Sequence, residues 1–159
     1  MTLTEILSIH PFSWKSIGAA LLCGTIIGLE RQLRGKPVGI RTSSLVVLGT
    51  YMFVAIATFV INDASDPSRI IGQVVTGVGF LGAGVMMTRE GVVTGVTSAA
   101  TIWALAALGV CVAVVDSLVA VKLSILVVGI LSGIDAVEGY STSLTKGVHA
   151  KYNRWRKHK

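Results

Sequence analysis

The 159-residue chain offers few side chains to reaction chemistry: eight acids, three histidines and two cysteines. A serine nucleophile needs a base within reach, and a metal hydrolase needs converging ligands. His10, His149 and His158 lie outside the long apolar stretches, and those stretches contain no acid. Cys23 and Cys111 sit inside apolar segments without metal-ligand spacing and read as small buried hydrophobes. Gly77-Val78-Gly79-Phe80-Leu81-Gly82 matches the dinucleotide pattern GxGxxG. That pattern needs a preceding strand and an acid about 20 residues later. Glu90 is too near and Asp116 too far. The expectation is a protein that is not an enzyme, with no catalytic residue, no assigned metal ligand and no cofactor.

The polar residues that remain suit binding or gating. Glu30 and Arg34 stand one helical turn apart in the favourable order for an ion pair. Arg31, Gln32, Lys36 and Arg41 surround them, with a turn at Gly35, Pro37 and Gly39. Asp66-Pro67 reads as a helix cap followed by proline at the first helical position. Arg69 then falls in a first turn, where the helix dipole disfavours a cation. Asp63, Asp66, a lipid phosphate or another subunit would compensate it. Arg69, Gln73 and Thr76 form one stripe. Thr94, Thr97, Ser98 and Thr101 form a second, within about 100° of one helix face. The two stripes lie at opposite depths and could line one polar route, although hydroxyls also bond to the carbonyl one turn back.

What carries these side chains is set by where charge is absent. Hydrophobic residues make up 52% of the chain and charged ones 14%, and the mean hydropathy is +0.75. Soluble domains carry about 25% charged residues, so neither an ordinary cytosolic enzyme nor a disordered chain is expected. Charge is missing from Thr42 to Asn62, from Ile70 to Thr88 and from Gly91 to Val115. Each run matches the roughly 20 residues an α-helix needs to cross about 30 Å of hydrocarbon. Ser16–Leu29 and Ser117–Ile134 are marginal fourth and fifth spans, the last requiring that Lys122 be tolerated. Glu5 and the missing basic n-region argue against a cleaved signal peptide. The reading is an all-α polytopic bundle of about five transmembrane helices over residues 1–137, followed by a basic tail over 138–159.

Of the 14 Lys and Arg residues, all but Lys15, Arg69 and Lys122 fall on one side of such a bundle. The positive-inside bias places that side in the cytoplasm, with the N-terminus out and the C-terminus in. An anionic lipid surface accounts for the basic tail, including Tyr152 and Trp155, without nucleic acid. Small residues supply helix-packing candidates. These are Ala20, Gly24 and Gly28 on the first span, then Gly72, Thr76, Gly79 and Ala83 on the third, with Gly77, Gly82 and Gly84 beside them. Gly129 and Gly133 mark the last span as a candidate seam for a homo-oligomer.

Three ordered motifs carry a family resemblance. They are Gly28-Leu29-Glu30-Arg31-Gln32 with Arg34-Gly35-Lys36 and Gly39-Ile40-Arg41-Thr42; Asp66-Pro67-Ser68-Arg69-Ile70 through Gln73 to Gly84; and Gly95-Val96-Thr97-Ser98-Ala99-Ala100-Thr101-Ile102-Trp103 with Ala106, Ala107 and Gly109. Over roughly residues 16–134 the chain resembles the MgtC/SapB family of bacterial inner-membrane proteins. The resemblance implies a link to low-magnesium adaptation and, in pathogens, to virulence and intracellular survival. It implies a regulatory bundle that docks on other membrane proteins such as the F-type ATP synthase. The alternative is an oligomeric channel or transporter for Mg2+ or another cation, although Mg2+ prefers carboxylate or hydrated oxygen sites and every acid here lies at a helix end or in a loop. Many members carry a soluble C-terminal domain, which places this chain in the short branch. Val96 and Ser98 stand where Leu and Thr are common.

Overall fold

The computed structural model describes residues 8–60, 68–89 and 92–140, with backbone alone at 89, 92 and 135–140. Among them are five helices: α1 (Trp14–Leu33), α2 (Ile40–Val60), α3 (Ser68–Gly84), α4 (Val96–Val114) and α5 (Ser117–Tyr140). Three are long and apolar enough to cross a membrane, namely α2, α4 and the Ser117–Ile134 part of α5. The all-α reading holds, and α1 extends to 20 residues on both sides of the marginal segment expected for it. Asp63, Asp66, Glu90 and the basic tail beyond Tyr140 lie outside the described residues.

The charge-free runs are not helical throughout. Helix α3 stops at Gly84, and a short antiparallel hairpin of β1 (Met87–Arg89) and β2 (Val92–Thr94) separates it from α4. Gly95, at φ +89°, turns the chain from β2 into α4, and a Cβ there would collide with the Val85 carbonyl oxygen. Lack of charge measures how apolar a segment is, whereas Val92-Val93-Thr94 is β-branched and suits a strand. A 17-residue α3 is about 25 Å long at 1.5 Å per residue.

Helix α4 touches all four others; α1 packs on α2 and α5, and α3 leans mainly on α4. The core is built from Cys23 and Ile27, Val47 and Val54, and Leu105 and Leu108. Large apolar side chains such as Phe53, Phe80, Trp103, Leu126 and Ile134 face outward, as a lipid-facing surface requires.

The glycines divide into two groups. A Cβ on Gly24 would run into the Ser44 backbone; one on Gly28 would stand 2.5 Å from Ile40 Cα, and one on Gly109 2.6 Å from the Val47 carbonyl oxygen. These three set how closely α1 and α4 approach α2. Ala20 is fully buried nearby. A Cβ on Gly82 would meet Ala99 at an ordinary 3.6 Å. Gly72, Gly77, Gly79, Gly84, Gly129 and Gly133 have open space where a Cβ would go, and Ala83 is exposed.

Side chains close two helix starts. Ser13 Oγ accepts from the Ser16 N–H at α1. At α5, Asp116 Oδ1 accepts from the N–H groups of Leu118 at 2.7 Å and Val119 at 3.3 Å. Those two bonds hold the Asp116 carboxyl below its usual range, with a smaller pull from Lys15 and Lys122.

Two outcomes are expected. Gly28→Ala lowers stability in detergent by about 1–3 kcal/mol through overpacking, against a helix-propensity gain of about 1 kcal/mol. Gly129→Ala, with open space, gains and does not lose; thermal melts of both variants check this. Because the folded Asp116 pKa is depressed, its contribution is present above the unfolded carboxylate value of about 3.9 and fades as pH falls through the folded one. Asp116→Ala therefore lowers the melting temperature at pH 7, and the gap to wild type closes below about pH 4.

Candidate functional site

Helices α1 and α2 run antiparallel from the turn between them, with Gly28 against Ile40. Gly109 of α4 sits at Val47 and Thr50 of α2, so the start of α4 lies level with the start of α2. The C-terminus of α1 and the N-termini of α2 and α4 thereby share one end of the bundle. Five polar residues are buried there: Glu30, Arg31, Ser43, Ser98 and Thr101.

Glu30 occupies the last turn of α1, where the dipole of the helix opposes a negative charge. Two guanidiniums compensate. Arg34 Nε lies 2.8 Å from Glu30 Oε1, the expected one-turn pair, and Arg31 Nη1 lies 3.7 Å from Oε2. Glu30 is 8% exposed and Arg31 3%. Neither carboxylate oxygen has an aligned hydrogen bond, nor does Arg31 Nε, so the cluster is held by charge.

The turn above the cluster is tightly fixed. Gly35, at φ +61°, ends α1, and the Lys36 N–H donates to the Arg31 carbonyl at 2.9 Å. Val38 takes a φ of 69°, an outlier for a β-branched residue and a strain of order 1–3 kcal/mol. Its carbonyl accepts from the buried Ser43 hydroxyl at 3.1 Å, and Gln32 Oε1 accepts a long bond from the Ile40 N–H. Strain of this kind persists only where the surroundings over-determine it, and it concentrates at functional positions. Lys36 and Arg41 are exposed around this frame, whereas the Arg34 side chain turns to Glu30.

The hydroxyl stripe is shorter than expected. Thr94 belongs to β2 and not to α4, and its hydroxyl donates across the hairpin to the Met87 carbonyl. Ser98 and Thr101 are buried, Thr97 is exposed, and Thr101 Oγ donates to the Thr97 carbonyl at 2.8 Å. Arg69, Gln73 and Thr76 are exposed on α3, far from the buried cluster in the fold's order, and Thr76 Oγ donates to the Gly72 carbonyl. Gln73 lines an open groove between α2 and α3. Sequence reasoning passed over Ser43 and Val38. Ser43 directly follows the Gly39–Thr42 motif, which was a usable signal; a positive φ at a valine leaves none. Among the described residues no three His, Cys, Asp or Glu side chains converge.

Leaving Arg31 buried without its partner carries a large penalty. Glu30→Leu is expected to lower stability by about 3–5 kcal/mol. The pair exchange Glu30→Leu with Arg31→Met recovers most of it, because apolar replacement of a buried pair is close to neutral. A denaturation series on the two variants reads this directly.

Comparison with known proteins is informative once this geometry is in view. The model of the MgtC family matches residues 17–140. YhiD of Escherichia coli (strain K12), named as a candidate magnesium transporter, is 45% identical over 105 residues, covering 62% of this chain and 48% of that protein. Protein MgtC of Brucella abortus (strain 2308) is 44% identical, covering 59% of this chain and 39% of its own length. Protein MgtC of Salmonella typhimurium is 46% identical, covering 58% and 39%. The chain thus spans half or less of the length of these relatives. No solved structure matches it significantly.

Proposed function

The chain belongs to the MgtC family, and from that premise we propose that it is a multi-pass protein of the bacterial inner membrane that acts in magnesium homeostasis by regulation. In this reading the bundle docks on other membrane proteins through the basic rim of the α1–α2 turn and biases their activity. The F-type ATP synthase is one partner class to test, and in a pathogen the outcome would bear on intracellular survival. Cytoplasmic placement of the Arg34–Arg41 end follows from the positive-inside bias.

The observation that carries this reading is the state of Glu30. A Mg2+ site needs carboxylate or carbonyl oxygens around a reluctantly dehydrated ion. Glu30, the buried acid of the bundle among the described residues, already faces two arginines. The local charge is net positive and repels a dication. Meanwhile Lys36 on the rigid turn and Arg41 at the start of α2 stand exposed, an arrangement suited to an acidic surface on a neighbour. The naming of YhiD for magnesium transport favours a second reading, conduction through an oligomer. It would have to bring acids of several copies together.

Purified protein in liposomes separates the two. No Mg2+ uptake above empty vesicles is expected; uptake abolished by Glu30→Gln would establish transport instead. For docking, Lys36→Glu is expected to cut crosslinked copurification of native membrane proteins by at least about fivefold, with an unchanged melting temperature. Undiminished recovery would remove the rim from the interface.

A further inference from the structure

Helix α3 leans on α4 and leaves an open groove of about 680 Å3 against α2. Leu45, Gly49 and Phe53 form one wall, and Gly77 and Leu81 the other. The two glycines create the space, since a Cβ on either would meet nothing within 4 Å. At one mouth stands Arg41, exposed and without an ion pair among the described residues. Gln73 lies towards the other end.

From this geometry we infer that the groove is a binding site for one acyl chain of an anionic phospholipid, whose phosphate is held by Arg41. Three observations select this occupant. The groove is apolar along its body and cationic at its rim, which matches the order of charge in such a lipid. A guanidinium engages phosphate oxygens through two parallel donors, and only in an anionic lipid is that phosphate not already offset by a choline or ethanolamine cation on the same headgroup. The length also fits. From Arg41 to Phe53 the α2 wall measures about 18 Å at 1.5 Å per residue, close to the hydrocarbon of a single leaflet, half of about 30 Å. A helix from a second copy would pack along the whole bilayer depth and would not end at an arginine on one side. The inference does not depend on which side of the membrane holds Arg41, and it assigns to a lipid the cation that the regulatory reading also places on the docking rim, leaving Lys36 to that rim.

Native mass spectrometry of the detergent-purified full chain, titrated with phosphatidylglycerol or phosphatidylcholine, tests it. Wild type is expected to retain one phosphatidylglycerol about fivefold more strongly than phosphatidylcholine, the worth of a single basic side chain at an anionic headgroup. Arg41→Gln removes the preference, and Arg41→Lys keeps most of it. Gly77→Leu, whose Cβ meets open space, puts a side chain into the groove and abolishes retention of both lipids at a melting temperature that does not fall. Equal retention of the two lipids by wild type overturns the proposal, as does a preference that survives Arg41→Gln. So does a Gly77→Leu variant that still holds lipid but converts a dimer to a monomer, since the groove would then seat a second copy.

Discussion

Lipid tails are as apolar as leucine, so nothing resembling the hydrophobic effect presses these helices together; they hold where their surfaces fit. The fit that the rest depends on is the approach of α1 to α2 over Gly24 and Gly28. With any larger side chain at either position the backbones would stand apart. The reach of Gln32 to the Ile40 N–H, already long at 3.4 Å, would then be lost. The turn from Arg34 to Gly39 is short because the helices it joins are close. That shortness forces Val38 into the left-handed region, where the Ser43 hydroxyl holds its carbonyl. A packing constraint inside the bundle thus ends as a rigid, strained loop at its rim.

The same closeness explains how charge is tolerated at Glu30 and Arg31. A buried ion pair is weak support for stability, because desolvating both ions offsets most of their attraction. Its effect here is geometric. Arg31 is drawn inward and covered, Arg34 bridges from the side, and Lys36 and Arg41 are left as the outward cations. Glu30 alone at a helix C-terminus would be disfavoured by the dipole; beside Arg31 and Arg34 it becomes the counter-ion that lets both share one helix end. The acid serves the basic surface, and its oxygens are not free for a metal.

Much of this was legible before any coordinates. Charge-free runs located α2 and α4, and one-turn spacing placed Glu30 with Arg34. The run from Ile70 to Thr88 instead broke into the short α3 and a strand, while α5, marginal by sequence because of Lys122, is the third helix long enough to cross. What escaped was of two kinds. Backbone conformation inside an apolar run does not register in hydropathy, so Thr94 was assigned to a helix face although β-branched neighbours and Gly95 turn it into a strand. The second kind concerns glycine. Gly24, Gly109, Gly72 and Gly129 are identical in composition terms, yet the first two touch a neighbouring backbone and the last two face open space. Periodicity reports that a small residue recurs, not what lies opposite it. That depends on which helices become neighbours, information spread over the whole chain.

The hairpin and the shortness of α3 are one fact seen twice. Backbone polar groups inside hydrocarbon must be satisfied within the segment, and a two-stranded ribbon leaves its outer edges unpaired. Met87–Arg89 and Val92–Thr94 therefore suit an interfacial depth or a place against protein, and α3 ends at Gly84 shorter than the three helices long enough to cross. Set across a bilayer, a helix of about 25 Å would face a core of about 30 Å, a mismatch of the kind met by thinning the local bilayer or by flanking side chains reaching to the surface. Arg69 in the first turn of α3 suits the second solution: placed against its own helix dipole, it is disfavoured as a helix cation but favoured as an anchor reaching the headgroups. Such a helix gains less from its neighbours than α2 or α4 does. It meets α2 only sparingly, and the space between them is the consequence of its short span together with the missing side chains at Gly49 and Gly77.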